Sequence, residues 1–270
     1  WCQGYSEPGA GSDLASLKTT AVADGDDYIL NGSKIWTTYA HWATHMFCLV
    51  RTSSTGKKQE GISFLLIEMD RAGIEVKPIV SIDGEHHLNQ VFLTDVRVPR
   101  KNLVGREGQG WDIAKYLLTH ERTSIAGVAD CKAHLANLYA AAGERRSGGR
   151  PLAEDGAMRL KLARAEIELM ALEYTNFRVL AATAAGKAPG PESSLLKTMG
   201  TAVQQTLSEL DVEIAAEMAW PWHEGGELGH GRYAHAMPRY CFSRAATIYG
   251  GSDEVQKNVL AKMLLAGGAR

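Results

Sequence analysis

Gln90-Val91-Phe92-Leu93-Thr94-Asp95-Val96-Arg97-Val98 gives way, across Gly108-Gln109-Gly110, to Trp111-Asp112-Ile113-Ala114-Lys115-Tyr116-Leu117. The first run is short, β-branched and aromatic, as a half-buried strand is. In the second, Ile113, Tyr116, Leu117, His120, Ser124 and Ala126–Val128 recur near the 3.6-residue spacing of a helix. Upstream of the switch lie further strand-like runs at Asp27–Leu30, Lys34–Thr38, Met46–Arg51, Gly61–Glu68 and Ile74–Pro78. Asp24-Gly25-Asp26, Asn31-Gly32, Ser53–Gly56 and Asp83-Gly84 read as the turns between them. Downstream, Trp111–Arg145, Leu152–Ala185, Glu192–Ala219 and Ser243–Leu265 are rich in Ala, Leu, Glu, Lys and Arg. The fold class expected is therefore α+β and multidomain. An antiparallel β-sandwich or barrel-like domain over residues 1–105 precedes a four-helix bundle over 106–270.

Bulk properties narrow the function classes. The 29 basic and 31 acidic residues leave a net charge of −2, which gives no reason to expect nucleic acid as a partner. No apolar run approaches a membrane span. The four cysteines are far apart and form no CxxC, which reads as reduced thiols in a cytoplasmic protein. His41 and His45 have a spacing that a helix could use for zinc, but no third ligand lies nearby, and no metal is expected. The chain opens at Trp1 directly on a dense motif, so the expectation is a fragment of a longer protein.

Gly9-Ala10-Gly11-Ser12-Asp13 is a glycine-rich turn without the strand–turn–helix setting of a dinucleotide fingerprint. Its wider context carries more. Tyr5–Asp13 (YSEPGAGSD), Asn31–Thr38 (NGSKIWTT), Val96–Pro99 with Asn102–Gly105, Glu144–Ser147 (ERRS) and Ile248–Gln256 (IYGGSDEVQ) follow in that order. Together they resemble the acyl-CoA dehydrogenase family over essentially the whole chain, without its N-terminal helical domain. The resemblance implies FAD as cofactor, an acyl-CoA substrate, an electron-transfer flavoprotein as acceptor, and a dimer or tetramer with FAD at the subunit interface. It also implies roles for residues. Gln3, Tyr5 and Ser6 would bond the flavin ring, and Ser12 the FAD pyrophosphate or the substrate's pantetheine. Trp36 would lie against the isoalloxazine, with Thr38 at its edge. Arg145 and Ser147 would reach a neighbour's FAD, and Ser252 and Glu254 would contact FAD. Arg122 and Tyr249 would meet substrate. One departure is that the Phe-Gly usual after this Arg-Arg-Ser reads Gly148-Gly149.

The reaction so implied takes a proton from the α-carbon and a hydride from the β-carbon of a thioester. It needs a placed carboxylate and donors for the enolate oxygen. Many family members carry a glutamate immediately after Ile-Tyr, where this chain has Gly250. A subset supplies it from the first helix of the C-terminal domain, where this chain has Glu121 in His120-Glu121-Arg122. The resemblance makes Glu121 the base and Gly250 a backbone donor to the thioester carbonyl. Gly250 also leaves room for a long, branched or polycyclic acyl group, including a sterol side chain. Two other functions fit the residues: a non-catalytic or FAD-sharing subunit of a heteromeric dehydrogenase, and a flavin oxidase. The Trp/His/Gly-rich loop Trp220–Gly231 fits either a substrate mouth or a subunit contact.

Overall fold

The computed structural model describes residues 1–186, 190, 192–220, 231 and 233–267, with the side chains of 119–125 and 266–267 excepted. The chain divides into two compact units, Trp1–Leu117 and Leu118–Arg270.

The first unit is built on seven strands: β1 (Cys2–Gly4), β2 (Thr20–Asp24), β3 (Asp27–Lys34), β4 (His45–Arg51), β5 (Ile62–Glu68), β6 (Ile74–Ile79) and β7 (Leu88–Pro99). They form one curled sheet in the order β1-β4-β2-β3-β7-β6, with β5 on β4. The sheet is mixed rather than purely antiparallel. β5 covers the whole of β4 antiparallel, and β1 and β2 pair with β4 parallel, at Met46–Cys48 and at Arg51. β1 and β2 escape a periodicity reading because each is too short to show one. Leu30, Met46, Val50, Leu65, Ile67, Val91, Val96 and Val98 point inward and are fully buried. Each contributes roughly 1.5–3 kcal/mol by leaving water.

Two expectations about β3 are corrected. Asn31-Gly32 is not a turn but lies inside the strand, where the register with β7 shifts. The Asn31 side chain spans the bulge, donating to Asp95 Oδ1 and accepting from Asp95 N, both at 3.0 Å. Gly32 is required because a Cβ there would lie 2.7 Å from Thr19 Cα, on a backbone with φ of +153°. Lys34–Thr38 is likewise not a strand: β3 stops at Lys34, and Trp36 and Tyr39 adopt left-handed φ of 60° and 54°.

The second unit is helical. One long helix was expected from Trp111; instead α1 (Gly110–Ile125), which begins in the first unit, and α2 (Val128–Glu144) are divided at Gly127, whose φ is 58°. A hairpin, β8 (Arg146–Ser147) and β9 (Arg150–Pro151), turns through Gly148 and Gly149 at φ of 57° and 82°. Two successive left-handed residues need glycines, which accounts for the loss of Phe-Gly from the motif. Then come α3 (Gly156–Ala184), with Asp155 accepting from Met158 N at its start, and α4 (Glu192–Ala215). The expected stretch Ser243–Leu265 is α5 (Ala236–Ser243), a 3-10 turn, the Gly250-Gly251 loop and α6 (Asp253–Gly267). α4 packs on α2, α3, α5 and α6 and forms the middle of the bundle. Among the described residues no helix is long and apolar enough to cross a membrane.

Replacing Gly32 by alanine is expected to destabilise the protein by about 2 kcal/mol or more, through overpacking on Thr19 and loss of backbone freedom. Denaturant midpoints of the two proteins measure it.

Candidate active site

In the first unit the site rests on a buried ion pair. Lys34 has no exposed surface, and its Nζ lies 2.8 Å from Glu7 Oε1, itself only 7 % exposed. Glu7 also accepts from Lys18 N (2.6 Å) and Thr19 N (2.9 Å), and Lys34 donates to Tyr5 O (3.3 Å). The pair thus joins the glycine-rich loop to the end of β3. Burial pushes the Glu7 carboxyl up, but the charge of Lys34 and the bonds from Lys34, Thr19 and Lys18 outweigh it and hold it below its ordinary value.

The loop is closed by mutual bonds between Glu7 and Ala10 and anchored by Arg51, which donates to Leu17 O and Ala15 O. Gly9, Gly11 and Ser12 stand exposed on it. Neither glycine has left-handed φ, and a Cβ on either would meet nothing within 4 Å. The chain itself therefore gives no reason for glycine there, whereas a ligand approaching the backbone closely would. Beyond β3, Ile35 N donates to Ser6 O and Thr37 N to Asn89 O, both at 2.9 Å, which fixes Trp36 between them. The Trp36 ring is 56 % exposed and is no core aromatic. A non-glycine residue held left-handed costs about 1–2 kcal/mol, and here that strain presents a flat ring outward, beside the exposed Thr38. A flat ring system carrying phosphates fits these residues.

Other expected residues sit differently. Tyr5 is buried against Phe47 and Phe64 at 5.8 and 6.4 Å between centroids, so it offers a ligand backbone only. Gln3 and Ser6 are half-buried beside it. His41 stacks on His86 at 4.0 Å and His45 on Trp1 at 4.8 Å, so the two do not converge. His86 and His87 are half-buried: His86 bonds Asn89 Oδ1 at 2.8 Å, and His87 lies 3.6 Å from Asp83.

In the second unit the Tyr249–Ser252 turn is held from two sides. Gln256, fully buried, donates to Gly250 O (3.1 Å) and Gly251 O (3.4 Å). Gly250 and Gly251 have φ of 65° and 86°. From α4, Lys197 Nζ meets Asp253 at 2.9 Å with no surface exposed, Thr201 donates to Ala246 O and Gln205 to Ser243 O. Ser208 and Glu209 take Arg244. This polar ladder was missed. Its signal is polar residues at 197, 201, 205 and 208–209, recurring at steps of three to four along one side of the helix.

Ser252 Oγ accepts from Val255 N and caps α6. Glu254 is held below its ordinary value, first by its own backbone N–H and then by the Ser252 hydroxyl. Partial burial pushes the Tyr249 phenol up. A cavity of about 460 Å³ opens beside Tyr249, lined by Gly127, Cys131, His134, Gln204 and Phe242 among others. Arg145 is bound within its own unit to Glu217 at 2.6 Å, and Ser147 is exposed on β8. Position 121 falls within α1, but the side chains of Glu121 and Arg122 lie outside the described residues, as do positions 221–230 of the Trp220–Gly231 loop.

Residues 2–96 match the family model for the acyl-CoA dehydrogenase middle domain, and residues 108–265 that for its C-terminal domain. The chain belongs to the acyl-CoA dehydrogenase family. It is 38 % identical to acyl-CoA dehydrogenase IpdE1 of Mycobacterium tuberculosis, over 98 % of this chain and 66 % of that protein. The chain thus spans about two thirds of that relative's length. Among solved structures it is similar to the ChsE4-ChsE5 complex from Mycobacterium tuberculosis, with 32 % identity and a TM-score of 0.85 over 98 % of this chain and 68 % of that one. It also resembles the Tcur3481-Tcur3483 steroid ACAD, in a variant form, with 28 % identity and a TM-score of 0.87 over 98 % and 68 %. For this acyl-CoA dehydrogenase chain, the Glu7–Lys34 pair is the fixed point of both loops in the middle domain.

Lys34→Met leaves Glu7 buried without its counter-charge, and about 3–5 kcal/mol of stability should be lost in denaturant titrations. Because the folded-state value of Glu7 is depressed, its contribution is present above the ordinary carboxylate value of 4.5 and is lost as the pH falls through the lower folded value. Glu7→Gln should therefore flatten the acid limb of the stability–pH curve below about 4.5.

Proposed function

We propose that the complete protein is an FAD-dependent acyl-CoA dehydrogenase that introduces an α,β double bond into a bulky acyl thioester. The family match supports the reaction class, and the observation that carries the assignment of its base is the turn at Gly250. Position 250 is glycine, so the family's commonest position carries no carboxylate, and its left-handed backbone does not favour a side chain there. Glu121 on α1 is then the base that takes the α-proton. The Gly250 N–H donates to the thioester carbonyl oxygen, where charge develops. Bound FAD supplies the acceptor for the hydride from the β-carbon.

The other residues bind and orient. Trp36 offers its exposed face to the flavin ring, with Thr38 at the edge and the Gln3–Ser6 backbone alongside. Gly9, Gly11 and Ser12 leave the backbone open to phosphate or pantetheine. Ser252 and Glu254 serve FAD through the start of α6, Arg145 and Ser147 serve the FAD of a neighbouring subunit, and Arg122 and Tyr249 line the substrate. We assign flavin and substrate contacts to residues 1–105 and the base to 106–270. The absence of a side chain at Gly250 supports a branched or polycyclic acyl group, as does the likeness to a steroid ACAD. Four cysteines, three of them buried, suit the cytoplasm, and an electron-transfer flavoprotein is the proposed acceptor.

A second reading is an FAD-sharing subunit of a heteromeric dehydrogenase. It is favoured by the bond of Arg145 to Glu217, which engages the guanidinium within the chain, and by the likeness to the ChsE4-ChsE5 complex. The flavin content of the complete protein expressed alone separates the two.

Anaerobic titration of the flavoprotein with a panel of acyl-CoA thioesters should bleach the flavin, most strongly with bulky acyl groups. Glu121→Gln should lower turnover by about a hundred- to ten-thousandfold with flavin content unchanged; a near-normal rate would remove Glu121 from the mechanism.

A further inference from the structure

After β3 stops at Lys34, two residues of the next five, Trp36 and Tyr39, hold left-handed φ of 60° and 54°. Neither is glycine, so each conformation persists only where its surroundings outweigh the strain. The Glu7–Lys34 pair and the bond from Ile35 N to Ser6 O secure the entry to this turn. Its exit is secured from the start of β7. Thr37 N donates to Asn89 O at 2.9 Å, and Tyr39 N to His87 O at 2.8 Å. The Asn89 side chain adds a further bond, from Nδ2 to Thr37 O at 3.0 Å. Thr37 has no exposed surface, so its carbonyl has no water to turn to when that donor is removed.

Asn89 has no exposed surface either. His86 Nε2 donates to its Oδ1 at 2.8 Å. His41 Nδ1 stands 3.1 Å from its Nδ2 and 3.2 Å from its Oδ1. The two imidazoles stack on each other, 4.0 Å between centroids and 22° between planes. His41 comes from just beyond the turn and His86 from the loop between β6 and β7, so the amide is gripped from two segments. Burying an amide is costly unless its bonds are made, and packing alone would be served by an apolar side chain. With both ends of the amide engaged, its orientation is single-valued. That orientation fixes Thr37, the residue between Trp36 and Thr38.

We propose that Asn89, oriented by His86 and His41, is a positioning residue. Through Thr37 it sets the plane of the Trp36 ring and the place of Thr38, and so the fit of this turn to the flavin. The inference rests on the reading that Trp36 faces the flavin.

Variants of the complete flavoprotein test it. Asn89→Leu keeps the side-chain volume and the backbone bonds and removes the amide. The amide protons of Thr37 and Tyr39 should then exchange with solvent about tenfold faster than in the wild type. The Kd for FAD should rise about tenfold, with a changed visible circular dichroism of the flavin and a shifted midpoint potential. His86→Phe, which keeps a ring against His41 but lacks the donor, should show the same changes to a smaller degree, and it carries the test where Asn89→Leu folds poorly. His86→Gln, which restores a donor, should return them toward wild-type values. Wild-type exchange in Asn89→Leu and His86→Phe, or wild-type flavin dichroism and potential in both, overturns the proposal and leaves Asn89 as core packing. Trp36→Leu separates this from a failure of the flavin reading. If that variant changes the flavin dichroism while the other two do not, only the Asn89 proposal falls. If it leaves the dichroism unchanged, Trp36 does not face the flavin and both fall.

Discussion

A lysine with no exposed surface cannot stay charged without a carboxylate held against it, and that requirement at Lys34 organises the first unit. Lys34 ends β3 where the backbone must leave the sheet, and Glu7 stands where the glycine-rich loop begins. Their ion pair makes the loop and the Trp36 turn a single mechanical part. The remaining valences of Glu7 are filled by Lys18 N and Thr19 N, so the far end of the loop is fixed by the same carboxylate. Gly32 serves this arrangement too, since Thr19 can run against β3 only because nothing projects from position 32. What remains free is the short exposed crest from Gly9 to Ser12 and the Trp36 ring.

The second unit solves a similar problem with polar side chains on one helix. The segment between α5 and α6 is irregular and leaves carbonyls and charges to be satisfied. α4 reaches it with Lys197, Thr201, Gln205, Ser208 and Glu209, while its other faces bury Leu196, Val203, Leu207 and Leu210. Buried polar groups are costly alone and specific when fully bonded. The ladder therefore fixes the left-handed Gly250-Gly251 turn without a further helix there. Gln256 closes the turn from the α6 side, so the backbone around Gly250 is held at both ends before any ligand arrives.

α3 shows how a helix can be legible in sequence while its surroundings are not. Its periodicity is plain from Leu152 to Ala185, but apolar residues on both sides blur the contrast that tells core from surface. Only burial of Met158, Leu162 and Leu172 assigns one side to the bundle and leaves Leu160, Ile167 and Phe177 exposed on the other. The hairpin before α3 is a comparable case. Gly148-Gly149 read as a departure from a motif, and two left-handed dihedrals show that the turn itself needs both glycines.

The sequence by itself determined the switch from strands to helices near Gly108, the positions of most strong strands and helices, and, through five ordered motifs, the family. These follow from local periodicity and from residue types whose chemistry depends little on context. Tertiary structure alone decided the parallel pairings of β1 and β2, the break at Gly127, the bulge at Asn31-Gly32 and the left-handed Trp36. It also placed Tyr5 in the core and found the Lys197–Asp253 and Glu7–Lys34 pairs. Each of these depends on what lies opposite a residue in space, at sequence separations that no local pattern encodes. A pairing edge, a Cβ clash or a counter-charge exists only once distant segments have met.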